Sequence, residues 1–164
     1  MDRNSANRAA IRFIAALLLL GGVAGLVLVL MLEAGTEGRS HPIFLVCGLV
    51  LFMACVWVGF GLWRNEERYK LWAMLLLFLQ VPNIEVQQFA YQFYAGSGLF
   101  LSFQSGSSSR LGFDFEIASA LKCQIPSGAD ELVLGINLLA LLAALYLMKK
   151  PRLKIELTET LKAE

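Results

Sequence analysis

The closest pair of ionisable side chains that strand geometry could bring together is Asp114 and Glu116. Two residues apart on a strand, both point to one face, where paired carboxylates act as acid and base or hold a cation. A calcium site needs about six to eight oxygen ligands, so two carboxylates fit a solvated polar face better. Glu66-Glu67 is the other close pair. His41 stands alone, and its neighbours Arg39, Ser40 and Pro42 offer neither metal-ligand nor base–nucleophile spacing. Cys47, Cys55 and Cys123 contain no C-x-x-C and could form one bridge at most. Cys47 with Cys123 is the conceivable pair, although Cys47 would lie about 7.5 Å along a helix from Pro42. The simpler reading is free cysteines packed as small hydrophobes. No phosphate-binding Gly loop, G-x-S-x-G or H-E-x-x-H occurs. The sequence therefore yields no catalytic, metal-binding or cofactor-binding residue, and no nucleic-acid partner.

The elements that would carry such residues come from a lipid-like composition. Of 164 residues, 57% are hydrophobic and 16% charged, against about a quarter charged in a soluble domain. The fold expected is a mainly α membrane protein. It has four transmembrane helices at about 11–32, 42–63, 69–82 and 130–149, and a small three-stranded antiparallel β-meander between the third and fourth. The first run is too long for a signal-peptide core and has no A-x-A site after it, so it reads as an uncleaved helix. Gly21 and Gly25 form G-x-x-x-G, and Cys55 and Gly59 have the same small-residue spacing, which suits close helix packing. The third run is short and meets Pro82, which disfavours helix at the residue before it. Gln80 and Asn137 are the deepest polar side chains in the runs. Asn137 reads first as an interhelical hydrogen-bonding group, worth about 0.6 kcal/mol, and second as lining a polar path with Gln80.

Between these helices, 83–129 is polar and aromatic. Apolar and polar residues alternate in 86–95, 98–105 and 110–118, the period of a half-buried strand. The separators Ala95-Gly96-Ser97-Gly98 and Ser105-Gly106-Ser107-Ser108-Ser109 have turn composition. Phe89, Tyr91, Phe93, Phe100, Phe103, Phe113 and Phe115 make this segment the candidate interaction surface. Its edge N–H and C=O groups would go unpaired in hydrocarbon, so the meander is expected as a lid at head-group depth over the helix ends.

Of the 14 Lys and Arg residues, 11 would lie on the side of both termini, and only Arg39, Arg110 and Lys122 on the other. The positive-inside rule then makes the termini and the tail 150–164 cytoplasmic and 83–129 extracytoplasmic, most simply in a bacterial inner membrane. The layout is similar to that of tetraspanins, but the large loop holds one cysteine and no Cys-Cys-Gly, so the likeness carries no function across. The leading expectation is a non-enzymatic membrane module presenting its sheet to a partner protein, a lipid surface or a second copy of itself. A small oligomeric transporter or channel subunit using Asn137 and Gln80 comes next. An integral-membrane enzyme using Asp114, Glu116 or Cys123 is third.

Overall fold

The computed structural model describes residues 3–34, 42–86, 89–105, 109–124 and 132–149. Two long apolar helices, α1 (Arg3–Ala34) and α2 (Pro42–Trp63), form an antiparallel hairpin. Both are long and apolar enough to cross a membrane. Glycines set how closely they approach: an added Cβ at Gly22 would lie 2.9 Å from the Phe52 carbonyl oxygen, and one at Gly59 would lie 2.9 Å from Leu19 N. Asn65, which follows α2, has φ +59°. A left-handed Asn just beyond a helix end is a common stop. Glu66 and Glu67 pair with Arg68 and Lys70 across the connector to α3 (Arg68–Leu79).

From there the chain departs from a four-span bundle. α3 has 12 residues, about 18 Å, and gives way at Pro82 to a strand. The chain then makes β1 (Pro82–Val86), β2 (Phe89–Tyr94), β3 (Gly98–Ser105), β4 (Arg110–Glu116), β5 (Ala120–Gln124) and β6 (Leu132–Asn137) before α4 (Leu138–Lys149). The six strands form one antiparallel sheet in the order β4-β3-β6-β1-β2-β5.

Three expectations are thereby corrected. The sheet has six strands instead of three. The span expected at 130–149 is a strand followed by a 12-residue helix. Among the described residues only two helices, not four, reach spanning length. The reason lies in short apolar runs: Leu132-Val133-Leu134-Gly135-Ile136 has no periodicity that separates a strand from a buried helix turn. Pairing on both sides, with β3 and with β1, decides for strand. The expected meander also fails in its order, because β1 and β6 lie between β2 and β3; of the three strands expected, only β3 and β4 pair with each other as neighbours.

The sheet cannot be flat. Its edges, β4 and β5, are joined by residues 117–119 alone, which bridge at most about 14 Å between Cα atoms. Five interstrand spacings in a flat sheet would separate those edges by about 24 Å. The sheet therefore curls, and the Tyr94 hydroxyl on β2 donates to the Glu116 carboxylate on β4 across the curl. Those two side chains define the concave face, on which Ala90, Phe100 and Ser102 are also buried. Gly112 and Gly135 flank Ser102 on that face, and small residues there permit the tight curvature.

The helix ends gather at one end of the molecule. Arg8, Leu62, Asn65 and Lys70 line a common cleft there, and the Tyr146 hydroxyl of α4 donates to Asn7 of α1 at 2.9 Å. The core runs from Ile11 and Leu62 at that end up through Ala73 and Ala144 to Phe52 and Phe93.

Candidate functional site

Among the described residues, the most deeply buried polar side chains gather around one short segment, the Ala95-Gly96-Ser97 strap between β2 and β3, and its flank at Leu99. Because β6 and β1 intervene, this strap must cross the ends of two strands, leaving its own backbone groups without ladder partners. Gln80, just past α3, accepts from the Ala95 N–H through its side-chain oxygen at 3.1 Å and points its amide nitrogen at Cys55 Sγ, 3.9 Å away. Asn137, the last residue of β6, accepts at Oδ1 from Leu99 N at 3.3 Å and from Ala140 N at 3.2 Å. The second bond is an N-cap on α4. Ser119 Oγ accepts from Gly96 N at 3.0 Å and donates to the Gly21 carbonyl of α1 at 2.5 Å. All three side chains are buried.

Gly21 is where the strap meets the hairpin. A Cβ at Gly21 would fall 2.1 Å from Gly96 N, and Gly96 itself has φ +95° with Leu17 O 2.9 Å from its own Cβ position. Backbone thus touches backbone, and both positions require glycine. The Gly21/Gly25 pair consequently serves two partners. Gly21 admits the strap, and Gly25 admits the Phe52 ring of α2. Cys55 is wholly buried beside Gln80, and Gly59 faces α1. The side chain of Cys123 lies outside the described residues, so its pairing with the exposed Cys47 is not defined.

The height of the strap follows from helix rise. In the antiparallel hairpin Arg12 and Arg64 are the last charges at the basic end, and Gly21 lies nine residues beyond Arg12, about 14 Å. Farther along, Phe93 stacks on Phe52 with ring centroids 5.5 Å apart, and Leu121 packs on Gly48 and near Val29. The β2–β5 side of the sheet therefore runs beside the half of the hairpin farther from the basic end. It is not stacked on top as a lid.

The aromatic residues singled out in the sequence divide between the two faces. Strand register places Phe89, Tyr91, Phe93, Phe103, Phe113 and Phe115 on the convex face and Phe100 on the concave one. Phe93 is 0% exposed against the hairpin, and the Tyr91 hydroxyl donates to Leu79 O at the end of α3 at 2.8 Å. Phe100 packs edge-on to Tyr94 at 5.2 Å. Phe103, Phe113 and Phe115 are exposed, and the side chain of Phe89 lies outside the described residues.

Among the described residues, the convex face away from β2 and β5 is bare. Leu101, Leu111, Leu134 and Ile136 join Phe103, Phe113 and Phe115 there, around a shallow apolar depression of about 410 Å³ that also takes in Pro82 and Ile84. Half of this surface was missed in the sequence because it comes from β6, which read there as helix, and from β1, to which no strand was assigned. The concave face carries Asn83, Glu85, Gln92, Asp114 and Glu116 by register. Among the described residues no group of three or more His, Cys, Asp or Glu is placed to hold a metal ion. Asp114 and Glu116 do share a face, but the partner Glu116 finds is the Tyr94 hydroxyl. Apolar outside and polar inside is the side-chain arrangement of strands that face lipid.

No protein-family model, curated protein or solved structure matches this chain.

Proposed function

We propose that the chain is a non-enzymatic integral membrane module that holds a curled sheet within the outer half of a bilayer. One observation carries the reading: the bare apolar convex face lies level with the outer, equally bare apolar flank of the α1–α2 hairpin. Leu20, Val23, Val27 and Leu30 on α1 and Val46, Val50 and Met53 on α2 are exposed over the same height. In water such a belt would far exceed the few hundred Å² of apolar patch that soluble monomers carry. In lipid it is the expected surface.

In this reading α1 and α2 span the membrane, while α3 and α4 cover only its inner half and the sheet replaces them in its outer half. Arg8, Arg12, Arg64, Arg68, Lys70 and Lys149 share the basic end, so the positive-inside rule makes that end cytoplasmic and the sheet extracytoplasmic. Acyl chains cover the convex face, and the concave face, with Asn83, Gln92 and Asp114, opens to water. The module's role is to present this sheet to an interaction partner. Gln80 accepts from the strap at Ala95, and Asn137 accepts from Leu99 just beyond it and from Ala140 of α4, which supports a structural role over a transport path.

The test is spin-label accessibility in proteoliposomes, using single cysteines in a Cys47→Ala/Cys55→Ala/Cys123→Ala background. Labels at Leu134 and Ile136 should collide with oxygen and be shielded from a water-soluble nickel chelate, and labels at Gln92 and Asp114 should show the reverse. Nickel access at Leu134 and Ile136 equal to that at Asp114 would overturn the reading.

A further inference from the structure

The two edges of the curled sheet are treated very differently. The edge strand β5 lies against the hairpin: it contacts α1, and Leu121 fills the space beside Gly48. The edge strand β4 has β3 as its only substantial neighbour among the described elements. Leu111 is 77% exposed and Phe113 64%. β4 runs as a regular seven-residue ladder with no proline and no bulge; of the devices that blunt an open edge it carries only charges, Arg110, Asp114 and Glu116, all on the concave face.

If the sheet sits in the outer half of a bilayer, this edge faces a physical problem. Outward N–H and C=O groups of a lipid-exposed strand find no water, and each one left unpaired costs several kcal/mol. An edge of this kind needs another strand. We propose that β4 pairs antiparallel with β4 of a second copy of this chain, joining two sheets across a two-fold axis. The proposal rests on the embedded reading above and names its partner.

The sequence of β4 is self-complementary in one register. With Phe113 on the axis, Leu111 faces Phe115, Gly112 faces Asp114, and Arg110 faces Glu116, each pair occurring twice. Every pair joins side chains of the same sheet face, because Leu111, Phe113 and Phe115 alternate with Arg110, Gly112, Asp114 and Glu116. The convex side of the seam is then aromatic and aliphatic, continuous with the bare face, and the concave side carries two Arg–carboxylate pairs. Opposite charges directly across a strand pair stabilise it, and like charges destabilise it. Moving the axis by one residue to Gly112 would set Arg110 against Asp114 but face Leu111 with Phe113 and leave Glu116 beyond the ladder. Moving it to Asp114 would pair the two Asp114 carboxylates with each other. The Phe113 register sets Arg110 against Glu116 at both ends and puts no like charges directly opposite, with Asp114 facing Gly112. The Tyr94 hydroxyl uses only one Glu116 carboxylate oxygen, which leaves the other for Arg110 of the second copy.

The test is disulfide trapping of the full chain in proteoliposomes, in the cysteine-free background. In a two-fold antiparallel pair the axial residues have Cα atoms about 4.5–5.5 Å apart, inside the roughly 4.4–6.8 Å range of disulfides. Phe113→Cys should therefore give a covalent dimer on mild oxidation. Leu111→Cys alone should give none, its two copies lying roughly 14 Å apart, but mixed with Phe115→Cys it should cross-link. Arg110→Glu and Glu116→Arg should each reduce the Phe113→Cys dimer at least fivefold, and the double exchange should restore it. A monomeric Phe113→Cys protein, or equal trapping at Leu111→Cys, would overturn the pairing. A label at Ile136 in the same vesicles reports the embedding separately. Lipid exposure at Ile136 with no Phe113→Cys dimer removes the pairing alone, and nickel access at Ile136 removes the embedded reading on which the pairing stands.

Discussion

The α1–α2 hairpin and the α3–sheet–α4 excursion occupy the same height but are held by opposite means. The hairpin has no buried polar side chain between Ile11 and Val29 on α1, and its contacts are glycine against backbone and ring. Within the excursion, Gln80, Asn137 and Ser119 are all buried, and all three hold the crossing strap or its flanks. A helix satisfies its own backbone, so two helices can meet through shape alone. A strap that crosses strand ends has no ladder, so side chains must supply what the ladder would have supplied. The difference shows where a segment packed beside the hairpin needs polar residues: where the backbone leaves regular structure.

The sharpest way to break this comparison is at the point where the two regions touch. Gly21→Leu would drive a side chain into the backbone of Ala95 and Gly96, which cannot rotate away. The expected cost exceeds about 4 kcal/mol, in the exceptional class for single changes, with the sheet released from the hairpin. Gly25→Ala meets only the Phe52 ring, a side chain that can shift, and should cost about 1–3 kcal/mol. Denaturant titration in detergent, read by CD, compares the two. Equal costs would mean that the strap does not depend on Gly21.

Much of the hairpin was legible, and much of the excursion was not. Residues 13–32 and 43–63 are apolar without a charge, and such runs admit no alternative to a buried or membrane helix. The alternation at 110–116, and from Leu101 onward in 98–105, marks β4 and β3 because every second residue there is apolar and those between are polar or glycine. β6 hid because Leu132, Leu134 and Ile136 face out while the residues between them are Val133 and Gly135, which are not polar. β5, in Ala120–Gln124, was too short to show a period. Asn137 was legible as a buried amide, but its cap on α4 depended on seeing where strand becomes helix. The strap site was invisible for a related reason: Gln80, Asn137 and Ser119 are far apart in sequence, and only strand order brings them together.

Next in size is a contrast within one sheet face. Phe93 and Phe113 have the same residue type and the same convex orientation, but Phe93 is 0% exposed against Phe52. Phe93→Ala should cost about 3 kcal/mol, the lower end of the range for a buried phenylalanine. Phe113→Ala should cost less than about 1 kcal/mol in dilute detergent, where β4 is unpaired. Comparable losses at both positions would show that the convex face is covered throughout.

A smaller effect probes the strap's acceptors. Asn137→Ala leaves Leu99 N and Ala140 N without their shared acceptor, for about 2 kcal/mol. Asn137→Ser should recover about half of that loss, because serine still caps α4 at Ala140 but does not reach Leu99. It also removes Nδ2, a buried donor with no partner in the structure. A serine variant as stable as wild type would make that orphan donor as costly as the Leu99 bond is favourable.

Ser119→Ala tests the smallest link between the regions. The Gly21 carbonyl that Ser119 donates to lies inside α1 and keeps its helical partner, so losing the hydroxyl strands only the Gly96 N–H. One unsatisfied buried donor sets the scale, about 1 kcal/mol. Because that donor sits in the strap, its loss should appear first as local opening and not as global unfolding. Hydrogen exchange at Gly96 should accelerate about fivefold, which is the rate equivalent of about 1 kcal/mol, with α1 and α2 amides unchanged. Acceleration spread evenly over α1 would mean that Ser119 braces the hairpin itself. Acceleration confined to Gly96 would fix the division of labour between the two regions, with shape holding the helices and polar side chains holding the crossing.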